Sequence, residues 1–156
     1  MVDINYIFQL LDWDRTEVEQ QEGLLLARSV KCISAFFQPA EIDGCGGKTT
    51  WDNCALAISE RSDEELTPYI SRMFWWLRDM NWPGAEIILQ RLLKFDNRRD
   101  FLVVELRKLI VGIIAANSRT WMFGIIWLLE EDANLIESVG SQLYQDLLAV
   151  YRKNDI

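Results

Sequence analysis

Residues 75–85 read WWLRDMNWPGA, and the fold of the chain turns on how that stretch is read. It holds three of the seven tryptophans, an Arg78–Asp79 pair and a helix break. Upstream, Ile70, Met73, Phe74 and Leu77 fall at i, i+3, i+4 and i+7, the stripe of a helix that buries one face. Downstream, Ala85, Ile88, Leu89 and Leu92 repeat the spacing. Between them, Asn81 suits a cap or turn, and Pro83 suits a first helical turn, where its missing N–H is no loss. The spacing therefore predicts two helices joined by a tight turn, with Trp76 and Trp82 at the corner and Trp82 buried against the preceding helix. Asp79 lies between those tryptophans. It is expected to accept from an indole N–H or from the N–H groups opening the next helix, a structural rather than a catalytic role.

Working outward, every periodic segment has the helical period. Ile4, Ile7, Phe8 and Leu11 mark a short first helix. Thr16 with Glu19 is a capping box opening a second helix, expected to run to about Phe37 on a face of Leu26, Val30, Ile33 and Phe37. Pro39 ends it, and QPAEIDGCGGKTT (38–50) is the one long loop. Its Gly47-Lys48-Thr49 lacks a preceding strand and the glycine a phosphate-binding loop needs five residues earlier, where Ile42 stands. The Gly44–Gly47 segment therefore reads as surface loop. Thr50 is placed as the cap of a helix through Ser59 that buries Trp51, Cys54, Ala55 and Ile58. Ser62 and Glu65 form a second capping box, with Pro68 tolerated near the helix start.

After the tryptophan hairpin comes a helix from Arg98 to Ala116, a break at Asn117-Ser118 and a helix over 120–131. LIVGIIAA (109–116) and 121–129 are apolar all round, which predicts central, covered helices. A last helix, about 133–152, turns Leu135, Val139, Leu143, Leu147 and Tyr151 inward. Seven to eight helices and no period-two strand give an all-α single domain, 1–156, of stacked antiparallel helix pairs, HEAT-like.

Composition narrows the function. Half of the 156 residues are apolar and the net charge is −8, which suits a globular domain and opposes nucleic-acid binding. MVDINYIFQLL has an acid where a signal peptide carries Lys or Arg, and three irregularly spaced cysteines suit a reducing cytoplasm. Cys32 and Cys54 read as core residues and Cys45 as an exposed thiol. The window 109–129 has one charge, but Asn117, Ser118, Arg119 and Thr120 stand at its middle, so no membrane span is expected. The chain has no histidine, the commonest general base and metal ligand. No metal, cofactor, small-molecule substrate or catalytic set is expected, and the chain is not read as an enzyme.

The charge is segregated. Residues 1–66 hold 13 acids and 5 bases; residues 67–156 hold 11 of each. That acid excess suits a solvated surface or a docking face for a basic partner. The candidate docking residues are Asp12, Trp13, Asp14, Glu17, Glu60, Asp63, Glu64 and Glu65, with Trp13 as an aromatic anchor. Asp63, Glu64 and Glu65 are expected to be exposed at a helix start.

The run Ser62-Asp63-Glu64-Glu65-Leu66, Pro68, Trp76-Leu77, Asp79-Met80-Asn81-Trp82-Pro83 and Ala85 resembles a family of small bacterial helical domains. Their signature has the form L-x-W-L-x-D-M-N-W-P-x-A. The likeness is strongest over 62–95, continues through Leu92-Leu93-Lys94-Phe95 and fades to about 129. A later feature, a tryptophan followed by a basic and an aromatic residue, is only partly met by Trp121-Met122-Phe123, since Met122 occupies the basic position. The resemblance implies a HEAT-like helical fold, a bacterial source, and a character like that of immunity proteins encoded beside secreted toxins. The expected function is a cytoplasmic immunity protein that binds and neutralises a cognate toxin domain, a basic nuclease. A helical scaffold for another partner, or a carboxylate-based enzyme, are the alternatives.

Overall fold

The computed structural model describes residues 2–39 and 47–153. Asp3 caps α1 (Ile4–Leu10), its carboxylate accepting from the Asn5 N–H at 2.9 Å. Thr16 and Glu19 exchange side-chain-to-backbone hydrogen bonds and open α2 (Glu17–Ala27). That helix stops ten residues before the expected Phe37. A turn follows, and Ile33–Phe36 form a short 3-10 helix that packs on α3 (Trp51–Ser59). Thr50 does not cap α3; its hydroxyl instead donates to the Gly47 carbonyl at 2.8 Å. The expected loop at Gly44–Gly47 and the Cys45 thiol lie outside the described residues, Gly47 excepted.

Ser62 and Glu65 form the second capping box at the start of α4 (Asp63–Leu66). Pro68 converts the next turn to 3-10, Thr67–Tyr69, and the chain continues as α5 (Ile70–Trp76). α6 (Ala85–Leu93), α7 (Arg99–Ala116), α8 (Arg119–Glu130), α9 (Ala133–Val139) and α10 (Ser141–Lys153) complete the fold. Among the described residues the ten α-helical segments make nine rods, because the 3-10 turn joins α4 to α5, and there is no strand; the chain is all-α. The expected last helix is in fact two, broken at Gly140, whose φ of 104° no helix accommodates. Asn117, at φ 53°, ends α7 in the left-handed conformation asparagine tolerates.

The corner at 77–84 is tighter than the sequence implies. Pro83 lies outside the helix, and Gly84 stands at its start with φ 84°. A Cβ there would come within 2.7 Å of the Ala55 Cβ and 3.0 Å of the Trp76 ring, so only glycine lets α6 begin against α3. Trp76 is the fully buried tryptophan, its indole N–H donating to the Pro83 carbonyl at 2.9 Å. Trp82 is half-buried and meets Trp51 edge-to-face at 5.7 Å. Asp79 accepts from the Asn81 N–H rather than from an indole or from α6, because the turn brings Asn81 nearest.

Three pairs of neighbouring helices run parallel: α2 with α3, α3 with α6, and α7 with α9. Gln20 meets Asn53 and Arg28 meets Glu60, so α2 and α3 point the same way. Gly84 meets Trp51 and Arg91 meets the Arg61 carbonyl, aligning α6 with α3. Arg99 pairs with Asp132 and Arg107 donates to the Val139 carbonyl, aligning α9 with α7. The core is continuous from Ile7 and Leu11 through Phe36, Trp76 and Leu92 to Leu129 and Leu147. α8 is covered as expected except at Phe123, whereas α7 leaves Val111, Gly112, Ala115 and Ala116 exposed. The arc through Leu102, Leu106, Ile110 and Ile113 is buried, and Phe101, Val103, Leu109 and Ile114 pack partly buried beside it. Cys32 is exposed and Cys54 buried, because the chain has left α2 before residue 32.

Candidate functional site

The eight candidate docking residues fall into two groups at opposite ends of α2. Eleven helical residues put those ends roughly 16 Å apart. The first group lies at the start of α2, Asp12, Trp13 and Asp14 before it and Glu17 as its first residue. Asp12 is a structural pin: one oxygen accepts from the Asp14 N–H and the other from the Thr49 hydroxyl, both at 2.9 Å. The Trp13 N–H donates to the Thr49 carbonyl at 3.0 Å. Asn53 donates to the Leu11 carbonyl at 2.7 Å and to Gln20 at 2.9 Å, so the α1–α2 link is fastened to the entry of α3. What remains free is the exposed Trp13 ring and the carboxylates of Asp14 and Glu17, which have no side-chain partner among the described residues.

The second group lies where the ends of α2, α3 and α6 meet the start of α4. Glu60 takes the Arg28 guanidinium on both oxygens, at 2.8 and 3.2 Å, and that cation holds its carboxyl below the usual range. Arg61 donates to the Ala27 and Val30 carbonyls and pairs with Glu65 at 3.1 Å. The Ser62 N–H, helped by Arg61 against a burial penalty, keeps Glu65 low as well. Asp63 is not the exposed acid expected of a helix start. One oxygen meets Arg91 at 2.6 Å; the other accepts from the Asp96 and Asn97 N–H groups, both at 3.0 Å. Burial opposes its ionisation, but the Asp96 N–H, Arg91 and the Asn97 N–H outweigh that and hold the carboxyl below its ordinary value. Glu64 is exposed and only accepts from the Asn97 amide at 3.1 Å.

Arg61 and Arg91 were not among the sequence candidates, yet they organise this junction. Arg91 had a legible signal: it stands three residues after Ile88 on the inward stripe of α6, where a cation needs a partner. Arg61 had none, since its partners are backbone carbonyls distant in sequence. Trp51 was expected only as core. It closes a three-tryptophan cluster with Trp76 and Trp82 while its own indole N–H is buried without a partner among the described residues. Between α3 and α6 runs an open groove of about 430 Å³ lined by Leu56, Ser59, Glu86, Ile87, Gln90, Arg91 and Lys94.

The arrangement presents carboxylates and an aromatic ring to solvent. Among the described residues, no three His, Cys, Asp or Glu side chains are grouped to hold a metal. Also among them, no helix is long and apolar enough to cross a membrane.

Residues 48–154 match the model of a domain of unknown function, DUF5071, over more than two thirds of the chain. The chain belongs to the DUF5071 family. The matched stretch contains the tryptophan hairpin and the Arg61–Asp63–Arg91 junction, and extends well past residue 95. It leaves out α1 and α2, and with them Asp12, Trp13, Asp14 and Glu17. No curated protein and no solved structure matches the chain.

Proposed function

We propose that the chain is a bacterial, cytoplasmic immunity protein that binds and neutralises a cognate toxin domain of basic character, such as a nuclease. The observation that carries this reading is the segregation of charge, with all of the acid excess in residues 1–66. Acids gathered on one portion steer a basic partner into encounter and set its orientation. Asp14, Glu17 and Glu64 are the exposed carboxylates that meet it, with Trp13 as the aromatic anchor. Asp12, Glu60, Asp63 and Glu65 hold the surface in shape. The scaffold behind it is a HEAT-like stack; the parallel alignment of α3 with α6 and of α7 with α9 supports that reading.

The test uses the C-terminal domain of the secreted protein encoded beside this chain. Association is expected to slow several-fold as salt rises from 50 to about 500 mM, with dissociation nearly unchanged. Charge reversal at Asp14, Glu17 and Glu64 is expected to slow it further while leaving thermal stability close to wild type. Association indifferent to salt and to the reversal would sink the reading. The α3–α6 groove favours a second reading, a scaffold that holds a segment of another protein. A tight neutral or acidic partner, with Ile87→Glu abolishing its binding, would establish that instead.

A further inference from the structure

Nine large apolar side chains are exposed among the described residues, and five of them, Val2, Tyr6, Trp13, Val18 and Leu25, lie in the first twenty-five positions. Val18, at 79% exposure, and Leu25, at 61%, are the two most exposed of the nine. They stand seven residues apart on α2, two turns of one helix, and so share a face. α2 packs through its opposite side, where Gly23, Leu24 and Ala27 are buried against α1 and α3. The helix thus carries two large apolar side chains on an outer face that no neighbour covers, with Gln21 and Glu22 between them along the helix. Tyr6 stands beside the outer stripe, its hydroxyl donating to Glu22 at 3.3 Å.

The rim of this stripe is acidic. Glu17 and Glu22 flank it, and Asp14 lies just before the helix. Both nearby arginines are already engaged, Arg15 with Glu19 and Arg28 with Glu60. Residues 1–47, which lie outside the family stretch, hold eight acids and three bases. An anionic membrane or a nucleic acid is repelled by such a rim. An apolar stripe between carboxylates complements an apolar ridge between cations.

We propose that the outer face of α2 is a docking site for a basic amphipathic helix of a protein partner, seated across Val18 and Leu25 and held at its rim by Glu17 and Glu22. The proposal rests on the acidic-docking function above and names the face and the partner element that carry it. It also places the specificity of this chain in the segment it adds to the family domain.

The test titrates two synthetic helices, each with the same leucine stripe, one flanked by lysine and one by glutamate, into the full ¹⁵N-labelled chain. The lysine-flanked helix is expected to bind and to shift amide resonances along Val18, Glu22 and Leu25 and at Tyr6. Val18→Ser with Leu25→Ser is expected to weaken it at least tenfold with far-UV circular dichroism and Tm unchanged, since neither side chain enters the core. Glu17→Gln with Glu22→Gln is expected to flatten its salt dependence. No binding by the lysine-flanked helix, equal binding by both helices, or shifts centred elsewhere would each overturn the proposal. So would a wild-type dimer in sedimentation that the serine pair dissociates, which would assign the face to a second copy. Lysine-helix binding that survives both the serine pair and the glutamine pair would remove this face and leave the acidic-docking function standing. Toxin association indifferent to salt removes the function itself.

Discussion

Asp63 concentrates at one carboxylate the tie between α4, the end of α6 and the turn at 96–97. Its side chain is 12% exposed and that of Arg91 9%, so removing the acid strands a cation in a nearly dry site. Asp63→Ala is expected to cost about 3 kcal/mol, the lower end for breaking a buried pair, read as a shift in the urea midpoint at pH 7. A loss under about 1 kcal/mol would mean that water reaches Arg91 freely. The same carboxylate sets an acid dependence. Asp63 and Asp132 are both held below the ordinary aspartate value, against burial, by backbone N–H groups and an arginine. A carboxyl whose folded pKa is depressed stabilises the fold above its unfolded pKa, about 4, and loses that contribution as pH falls through the folded value. Stability is therefore expected to drop below about pH 4, and Asp63→Asn to lose less over that interval than wild type; parallel pH profiles would contradict this. At the corner, the residue that matters most is Trp76 rather than Trp82. Trp76→Ala is expected to cost about 3–5 kcal/mol, whereas the half-buried Trp82 costs about 1–2 through partial burial and one edge-to-face contact. Sequence spacing places both rings at the corner but does not rank them. Their ranking depends on Gly84, whose left-handed backbone turns Pro83 toward the Trp76 indole.

Two glycines show how differently helices α7 and α8 meet their surroundings. Gly124 of α8 faces the Leu77 carbonyl so closely that a Cβ would overlap backbone oxygen, and backbone has no rotamer with which to yield. Gly112 of α7 is exposed, and a Cβ there meets nothing. Gly124→Ala is expected to force α8 off α5 and cost about 1–3 kcal/mol. Gly112→Ala should stabilise by about 0.5–1 kcal/mol through helix propensity alone. Denaturation of the two variants side by side checks both, and equal effects would mean the helix contacts are misplaced. The sequence pattern cannot tell these glycines apart, because LIVGIIAA and WMFGIIW look equally apolar. Hydrophobicity reports what a helix tolerates, whereas coverage depends on neighbours from elsewhere in the chain. The capping boxes were legible because both partners lie within four residues. The break at Gly140 was not, since Leu135, Val139, Leu143 and Leu147 keep a single helical phase across it. The end of α2 was missed for a like reason: Val30, Ile33 and Phe37 continue the stripe but reach the core through a turn and a 3-10 segment.

At the scale of the whole molecule, charge segregation was legible because counting acids needs no structure, whereas which acids are free depends on arginines distant in sequence. Arg28, Arg61 and Arg91 claim Glu60, Glu65 and Asp63 and leave Asp14, Glu17 and Glu64 to solvent. The same long-range ties decide where folding begins and ends. The family stretch starts at residue 48, but Ile7, Phe8, Leu11, Leu24, Ile33, Phe36 and Phe37 belong to one core with Ile58 and Trp76. Arg61 is satisfied by the Ala27 and Val30 carbonyls, Asn53 by the Leu11 carbonyl, and Arg72 by the Ser34 and Phe37 carbonyls. Excising residues 48–154 would expose the apolar floor beneath α1 and α2 and leave three polar side chains short of partners, each worth about 1–3 kcal/mol. A domain has only about 5–15 kcal/mol to lose. The excised stretch is therefore expected to unfold at a much lower urea concentration than the full chain, with a shallower transition, and to bind a hydrophobic dye that the full chain does not. Adding back a peptide of residues 2–39 should restore part of that stability, because its contacts are with preformed surfaces of α3 and α5. An excised stretch that unfolds as cooperatively as the full chain, at the same midpoint, would show that α1 and α2 are an appendage on a finished domain.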